Sequence, residues 1–320
     1  MNPRLRRRAR RVRLTPRDMI AISLVARGQP VVRAQVQQLL GLSAAASYRL
    51  MRRLFDGGYV RSHVFAQEGP NLYTLTTKGA AELSRLGHED ARVLRKLGRH
   101  QHEHHLGAVD AFVALQVAAS KAPHLELDKF LFERDVRKAV GRVPSGALIP
   151  DSVACLVSRN WELALAIEVD TGSERPQVIV NKALAYSQAT ELRGRPFRVA
   201  LLTTGPHALR RAHRLARAIW NEPAVPEGLC FFTTSERLSP ASVLTDEAWM
   251  TVQATSNTAR LVPRCPIRPP ETTPSDGLRG RAAPNRLQSQ GFEATCAGSN
   301  HGLVDGTATG TRAAAVGGES

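Results

Sequence analysis

Between Ile149 and Tyr186 the chain carries a pattern that admits few folds. Two β-prone, largely apolar runs, Ser152 to Val157 and Leu163 to Val169, precede a helix-forming segment that ends in Lys182-Ala183-Leu184-Ala185-Tyr186. Arg159-Asn160 is the natural two-residue turn between the runs. Ser158 then faces Trp161, and every facing pair has residue numbers that sum to 319. That register sets Asp151 opposite Glu168, with Cβ atoms roughly 5 Å apart. Asp170 shares their face, because strand side chains alternate. Val153, Cys155, Ala164 and Ala166 on the same face are small or apolar, which predicts that the face is covered. Three carboxylates crowded there repel one another unless something positive stands among them, and a divalent cation is the natural candidate. The alternative is that Asp151 and Glu168 are ordinary strand-end charges in water.

A length of 320 residues allows about two domains with appendages. The net charge of +16 and pI near 10.8 point to a polyanionic partner, first of all double-stranded DNA. No apolar run is long enough for a membrane span. The basic N-terminus is not followed by an apolar segment, which argues against a secretory signal and for the cytoplasm. Cys155, Cys230, Cys265 and Cys296 lack CxxC spacing, so neither a zinc site nor a disulfide framework is supported. Only six of the 44 basic residues are lysines, which makes Lys182 a distinctive choice.

Residues 1–13 form a basic arm, and the first 17 residues hold eight arginines and no acid. Such an arm suits DNA phosphates or a minor groove, although a solubilising tail has the same composition. From 14 to 95 the spacing reads helix, helix, helix, hairpin, helix. Thr15-Pro16 caps the first helix, which Gly28 and Pro30 end, and Arg33 to Leu40 forms the second. Ser43 caps the third, whose buried stripe is Ala46, Leu50 and Leu54. Tyr59-Val60 and Leu72 to Leu75 form a two-stranded wing, and Thr76 opens another helix. Ser43, Ala45, Tyr48, Arg49, Arg52 and Arg53 are the candidate DNA contacts. Small residues let the third helix approach a groove, and its arginines reach bases or phosphates. This segment resembles a winged helix-turn-helix domain, a form that also serves as a protein-interaction module.

Residues 96–252 read as a second domain. His100 to His105 holds four histidines and opens a helix to about Ser120, but the order does not form HExxH, so zinc is disfavoured. Glu103 on this helix is a further candidate ligand for the cation of Asp151 and Glu168. A first strand from His124 to Val136 leads through a Gly/Pro loop, 141–150, to the hairpin. Then come a helix from Glu174 to Leu192, a strand from Phe197 to Thr203, a basic helix from Pro206 to Asn221, and a strand from Leu229 to Thr234. Residues 253–320, dominated from about Ala254 by Pro, Gly, Ser, Thr and Ala, read as a disordered tail.

The fold class is therefore α/β (α+β), with an αβββαβ second domain. That order, with Pro150-Asp151, Glu168-Val169-Asp170 and Lys182, resembles the PD-(D/E)xK nuclease fold. The resemblance implies Asp151, Glu168, Asp170 and Lys182 as catalytic residues, with Mg²⁺ activating water and Lys182 orienting it. Asp170 stands where that motif keeps its lysine, so Lys182 would act from the following helix. The whole of residues 14–250 is similar to the replication-relaxation family of plasmid and mobile-element proteins. The similarity rests on His104-His105-Leu106, Pro150-Asp151, Glu168-Val169-Asp170-Thr171-Gly172, Lys182-Ala183-Leu184-Ala185-Tyr186, Leu201-Leu202-Thr203-Thr204 and Phe231-Phe232-Thr233-Thr234. It implies a bacterial DNA-binding protein acting in replication, DNA relaxation or mobilisation, with replication or mobilisation proteins as partners, and a homodimer fits a winged helix. Two other readings stay open: a Mg²⁺-dependent endonuclease that cuts or nicks DNA with Asp151, Glu168 and Lys182, and a regulator or adaptor with an inactive nuclease-like domain. A tyrosine-type relaxase is disfavoured, since no histidine cluster lies near Tyr186 in sequence.

Overall fold

Thr15 starts the first helix as the spacing predicts. Its hydroxyl accepts the Asp18 N–H at 3.3 Å while the Asp18 carboxylate accepts the Thr15 N–H at 2.8 Å, and Pro16 sits where no amide is needed. The computed structural model describes residues 13–64, 69–88, 91–94, 102–140, 148–189, 196–255 and 258–267. All of them fall within Met1–Ser275, one of the chain's two units; Asp276–Ser320 lies outside the described residues. So do residues 1–12 of the basic arm, His100, Gln101 and the tail beyond 267.

Helix α1 (Pro16–Gly28) is followed by β1 (Val31–Val32), α2 (Arg33–Leu39), α3 (Ala44–Asp56), β2 (Val60–His63), β3 (Leu72–Leu75) and α4 (Thr77–Arg85). The expected two-stranded hairpin gains a third member, because β1 pairs with β3 through Val31 and Tyr73. Two valines are too short a run to be seen as a strand in sequence, and only the partner strand makes them one. The stripe of α3 is Ser47, Leu50, Met51 and Leu54, not Ala46, which is only half-buried. Ser47 can be buried because its hydroxyl donates to the Ala44 carbonyl at 2.9 Å and receives an Arg33 N–H at 3.0 Å.

A seven-stranded sheet, ordered β10-β9-β8-β7-β6-β5-β4, follows. In chain order it is built from α5 (His102–Lys121), β4 (Leu125–Phe132), α6 (Glu133–Val140), β5 (Ser152–Ser158), β6 (Glu162–Asp170), α7 (Pro176–Ser187), β7 (Phe197–Thr203), α8 (Ala208–Trp220), β8 (Cys230–Thr234), β9 (Met250–Thr255) and β10 (Thr258–Pro263). Strands β6, β7 and β8 run parallel and the other pairs antiparallel. The chain is thus a mixed α/β protein. Alternation sorts the sheet's two faces. Leu156, Leu165, Ile167 and Leu202 pack under Val109, Phe112 and Leu115 of α5, whereas Ala166, Val199, Leu201 and Phe232 pack under α7 and α8.

Two expectations are corrected. The first strand stops at Phe132, and Glu133 to Val136 belongs to α6 instead: Val136 is buried, and Arg137 bonds Glu133 one turn back at 2.7 Å. Of the loop expected at 141–150, residues 141–147 lie outside the described residues. The ordered chain also passes Ala254, because β9 joins the sheet edge, β10 pairs with it, and Cys265 and Ile267 are buried beyond. Composition did not reveal those strands, since their stability comes from the edge they extend. No described helix is long and apolar enough to cross a membrane.

One close approach governs how α5 sits on the sheet. A Cβ at Gly107 would stand 2.7 Å from Val169 Cγ1, inside contact distance for a side chain that β-branching keeps rigid. Gly107→Ala is expected to destabilise the fold by about 1–3 kcal/mol through overpacking, measured as a lower urea midpoint with an unchanged slope.

Candidate functional site

The hairpin has the register read from its turn. Pairs run from Ser152 opposite Ile167 to Val157 opposite Glu162, and the Ser158 N–H donates to the Trp161 carbonyl at 2.8 Å across the turn. Asp151 lies one step beyond the last pair and binds the far strand directly, its Oδ2 accepting the Val169 N–H at 2.8 Å. Val153, Cys155, Ala164 and Ala166 are buried, so the face is covered as expected, by Val136 and the helices α7 and α8.

Glu168 is 2 % exposed, and both its oxygens are occupied. Tyr186 donates its hydroxyl to Oε1 at 2.6 Å and Lys182 its ammonium to Oε2 at 3.0 Å. The two donors are four residues apart on α7, hence on one face of the helix. Lys182 also reaches Glu174 Oε2 at 3.3 Å. On the other side, His104 Nδ1 faces Asp151 Oδ2 at 3.7 Å, and its Nε2 lies 3.4 Å from the Thr171 hydroxyl. The acids therefore do have positive charge among them, supplied by the chain's own Lys182 and, when protonated, His104.

Burial, reinforced by the nearby Asp151 charge, pushes Glu168 up to about 7 despite Lys182 and Tyr186. At Asp151 burial works in the same direction but is outweighed by His104 and the Val169 N–H, so its carboxyl is held below the usual range. The His104 imidazole is raised chiefly by Asp151, against the effect of burial. Burial would lower Lys182, yet Glu168, Glu174 and Asp151 together raise it.

The structure brings together Asp151, Glu168 and Lys182 and leaves out two expected members. Asp170 turns to α8, where Arg211 Nε and Nη2 hold it at 2.7 and 3.2 Å; it also accepts the Gly172 N–H at 3.1 Å. Glu103 is exposed on α5. Among the described residues no three His, Cys, Asp or Glu side chains are grouped to hold a metal ion. Asp151 Oδ2 and both Glu168 oxygens each accept from a donor of the chain itself, and Glu103 stands exposed on α5. His104, Glu174 and Tyr186 are the members that sequence reasoning left outside the site. The four-residue step from Lys182 to Tyr186 was the one local signal for any of them.

The candidate DNA contacts divide as well. Ala45, Tyr48, Arg49 and Arg52 are exposed along one side of α3, Tyr48 by 57 %. Ser43 uses its hydroxyl to cap the helix, accepting the Ala46 N–H at 3.2 Å. Arg52 pairs with Asp56 at 2.9 Å, an exposed contact that a stronger anion can replace. Arg53 is held by the buried carboxylate of Asp18 on α1.

These features define an α/β protein with a lysine-neutralised acidic cluster at one end of a hairpin and an arginine-bearing helix apart from it. Residues 23–198 match the replication-relaxation family, more than half of the 320 residues, and the chain belongs to that family. A comparison with curated proteins finds no match. Among solved structures, that of the restriction endonuclease FokI aligns with 69 % of this chain at 10 % identity and a TM-score of 0.25. The alignment covers 43 % of the nuclease, less than half its length, and a likeness this weak carries no argument about fold or activity.

The raised Glu168 has a consequence for stability. Its pKa of about 7 in the fold exceeds the ordinary 4.5, so the native state holds this proton more tightly than the unfolded chain does. The resulting stabilisation is complete below about pH 4.5 and lost as pH rises through 7, on the order of 3 kcal/mol. Urea unfolding across that range is expected to show a shallower decline for Glu168→Gln than for the wild type. Equal slopes would place the Glu168 pKa at its ordinary value.

Proposed function

We propose that this replication-relaxation protein binds double-stranded DNA of a plasmid or integrated mobile element, with residues 14–95 acting as a winged helix-turn-helix. The observation that carries the reading is the exposed side of α3, where Ala45, Tyr48, Arg49 and Arg52 stand clear of the core. The succession α1, α2, α3 and the β2–β3 hairpin supports it, as does a net charge of +16. In this reading Arg49 and Arg52 contact phosphates or base edges and Tyr48 packs against the sugar-phosphate wall. Arg53, bound to Asp18, positions α3 on α1 and does not contact the DNA. Replication or mobilisation proteins would be met elsewhere on the surface.

Mobility shifts are expected to weaken steeply with salt, and Arg49→Ala with Arg52→Ala to lower affinity about tenfold or more while flattening the salt slope by about 2. An affinity that is insensitive to salt and to both substitutions would defeat the reading.

For the second domain, the order α5, β4, α6, β5, β6, α7, β7, which departs from the expected αβββαβ only by the short α6 between the first two strands, and the meeting of Asp151, Glu168 and Lys182 support a PD-(D/E)xK-like scaffold. Because Glu168 already has a donor on each oxygen, the cluster serves in this reading to hold the hairpin against α7. Calorimetry with Mg²⁺ is expected to give no heat that depends on Asp151, and plasmid nicking to be the same for wild type and Asp151→Ala. Mg²⁺ binding and nicking that both disappear in Asp151→Ala would instead make the domain an endonuclease.

A further inference from the structure

At the carboxyl ends of the parallel strands β6 and β7 lies a cavity of about 270 Å³ that the acidic cluster does not use. Thr171 and Gly172 after β6 and Gly205 after β7 form its floor, and Arg210, Arg211 and Arg214 of α8 form its wall. Crevices at this end of parallel strands are where open α/β sheets take ligands. Its size falls just below the roughly 300–1,000 Å³ of small-molecule sites, which suits a single compact group better than a whole cofactor.

The charges identify that group. Of the three guanidinium groups, Arg211 is spoken for, since Asp170 and the Glu174 carbonyl hold it. Arg210 and Arg214 are exposed and pair with no described carboxylate. They are four residues apart on one side of α8, a helix of 13 residues that carries four arginines and no acid. Its opening turn lies at the cavity too and adds the positive end of the helix dipole. Gly172 and Gly205, at φ +82° and +90°, have nothing within 4 Å of where a Cβ would be, so the floor stays open to solvent. Thr171 joins the cavity to the acidic cluster, because its hydroxyl meets His104, which faces Asp151.

We infer that this cavity seats a backbone phosphodiester of a DNA strand, with Arg210 and Arg214 as its contacts and Arg211, fixed by Asp170, as its rigid wall. This rests on the DNA-binding reading and extends it to a second contact, which sets a strand beside Asp151 and Glu168. A phosphodiester fits because it is anionic, small at the point of contact, and open on both sides to the continuing chain.

The test uses the full chain and a fluorescein-labelled mixed-sequence duplex, with anisotropy recorded across a salt series. Arg210→Gln with Arg214→Gln is expected to lower affinity about tenfold and to flatten the salt slope by about 2, one for each phosphate no longer neutralised. Lys121→Gln with Arg159→Gln removes the same charge at the opposite end of the sheet, where Leu125 pairs with Ser158, and serves as the comparison; both pairs are exposed, and circular dichroism checks that both proteins fold. If the wild type binds the duplex and the two double variants behave alike, the phosphodiester seat is wrong while DNA binding stands. If the wild type does not bind the duplex, the DNA reading fails first and this inference with it. Titration with inorganic phosphate closes the remaining route. Phosphate binding that Arg210→Gln with Arg214→Gln abolishes, beside unchanged duplex binding, would mark a free-anion site and overturn the proposal.

Discussion

A carboxylate with 2 % exposure needs a donor on each oxygen or a proton of its own, and Glu168 at the end of β6 meets that need through α7. Much of the site's geometry follows from this contact. It fixes which face of α7 meets the sheet, sets Lys182 between Glu168 and Glu174, and brings Tyr186 under the strand. Two residues on, Asp170 repeats the arrangement with the next helix, since Arg211 of α8 binds it. Each buried acid of β6 is thus matched to a cation from a different helix. Removing one partner of such a pair characteristically costs about 3–5 kcal/mol, because the other charge is left buried and uncompensated.

The arginine-bearing helix α3 and the acidic cluster are parts of one packed body. The cores of the N-terminal helices and of α5 form a single cluster, in which Val25 and Val36 are continuous with Val109 and Phe112. Polar contacts lock the junction. Gln35 donates to Asp110 at 2.8 Å and to the Leu106 carbonyl at 3.0 Å, and Arg27 donates to the Phe130 carbonyl at 2.7 Å while lying over the Phe112 ring. These contacts cross between the two segments that composition separates. The placement of α3 relative to the hairpin is therefore a property of packing.

Legibility followed the range of the interaction. The turn at Arg159-Asn160 sets the register of β5 and β6 within a few residues, so Asp151 opposite Glu168 could be read by counting. The caps at Thr15, Ser43 and Thr76 are equally local, and each begins its helix where expected. Helix α6 was missed because its eight residues follow a strand with no break in polarity, and a single buried valine is its only apolar anchor. Strands β9 and β10 were missed because an edge pairing needs a neighbour that local pattern does not announce. The burial of Ser47 was hidden too, since a serine there depends on Arg33, 14 residues earlier, to satisfy it.

Residue order alone settled the hairpin, its facing acids and the helix that offers Lys182 and Tyr186 on one side, because turn length, alternation and helical period act over only a few residues. It also settled the chain's net charge of +16. Tertiary structure decided which acid meets which cation. Lys182 goes to Glu168 and Glu174, Arg211 to Asp170, His104 to Asp151, and Arg53 to Asp18. The physical reason is that such pairings join elements distant in sequence, and the chain's 44 lysines and arginines offer many candidate partners for each buried carboxylate. Only packing says which of them is within reach.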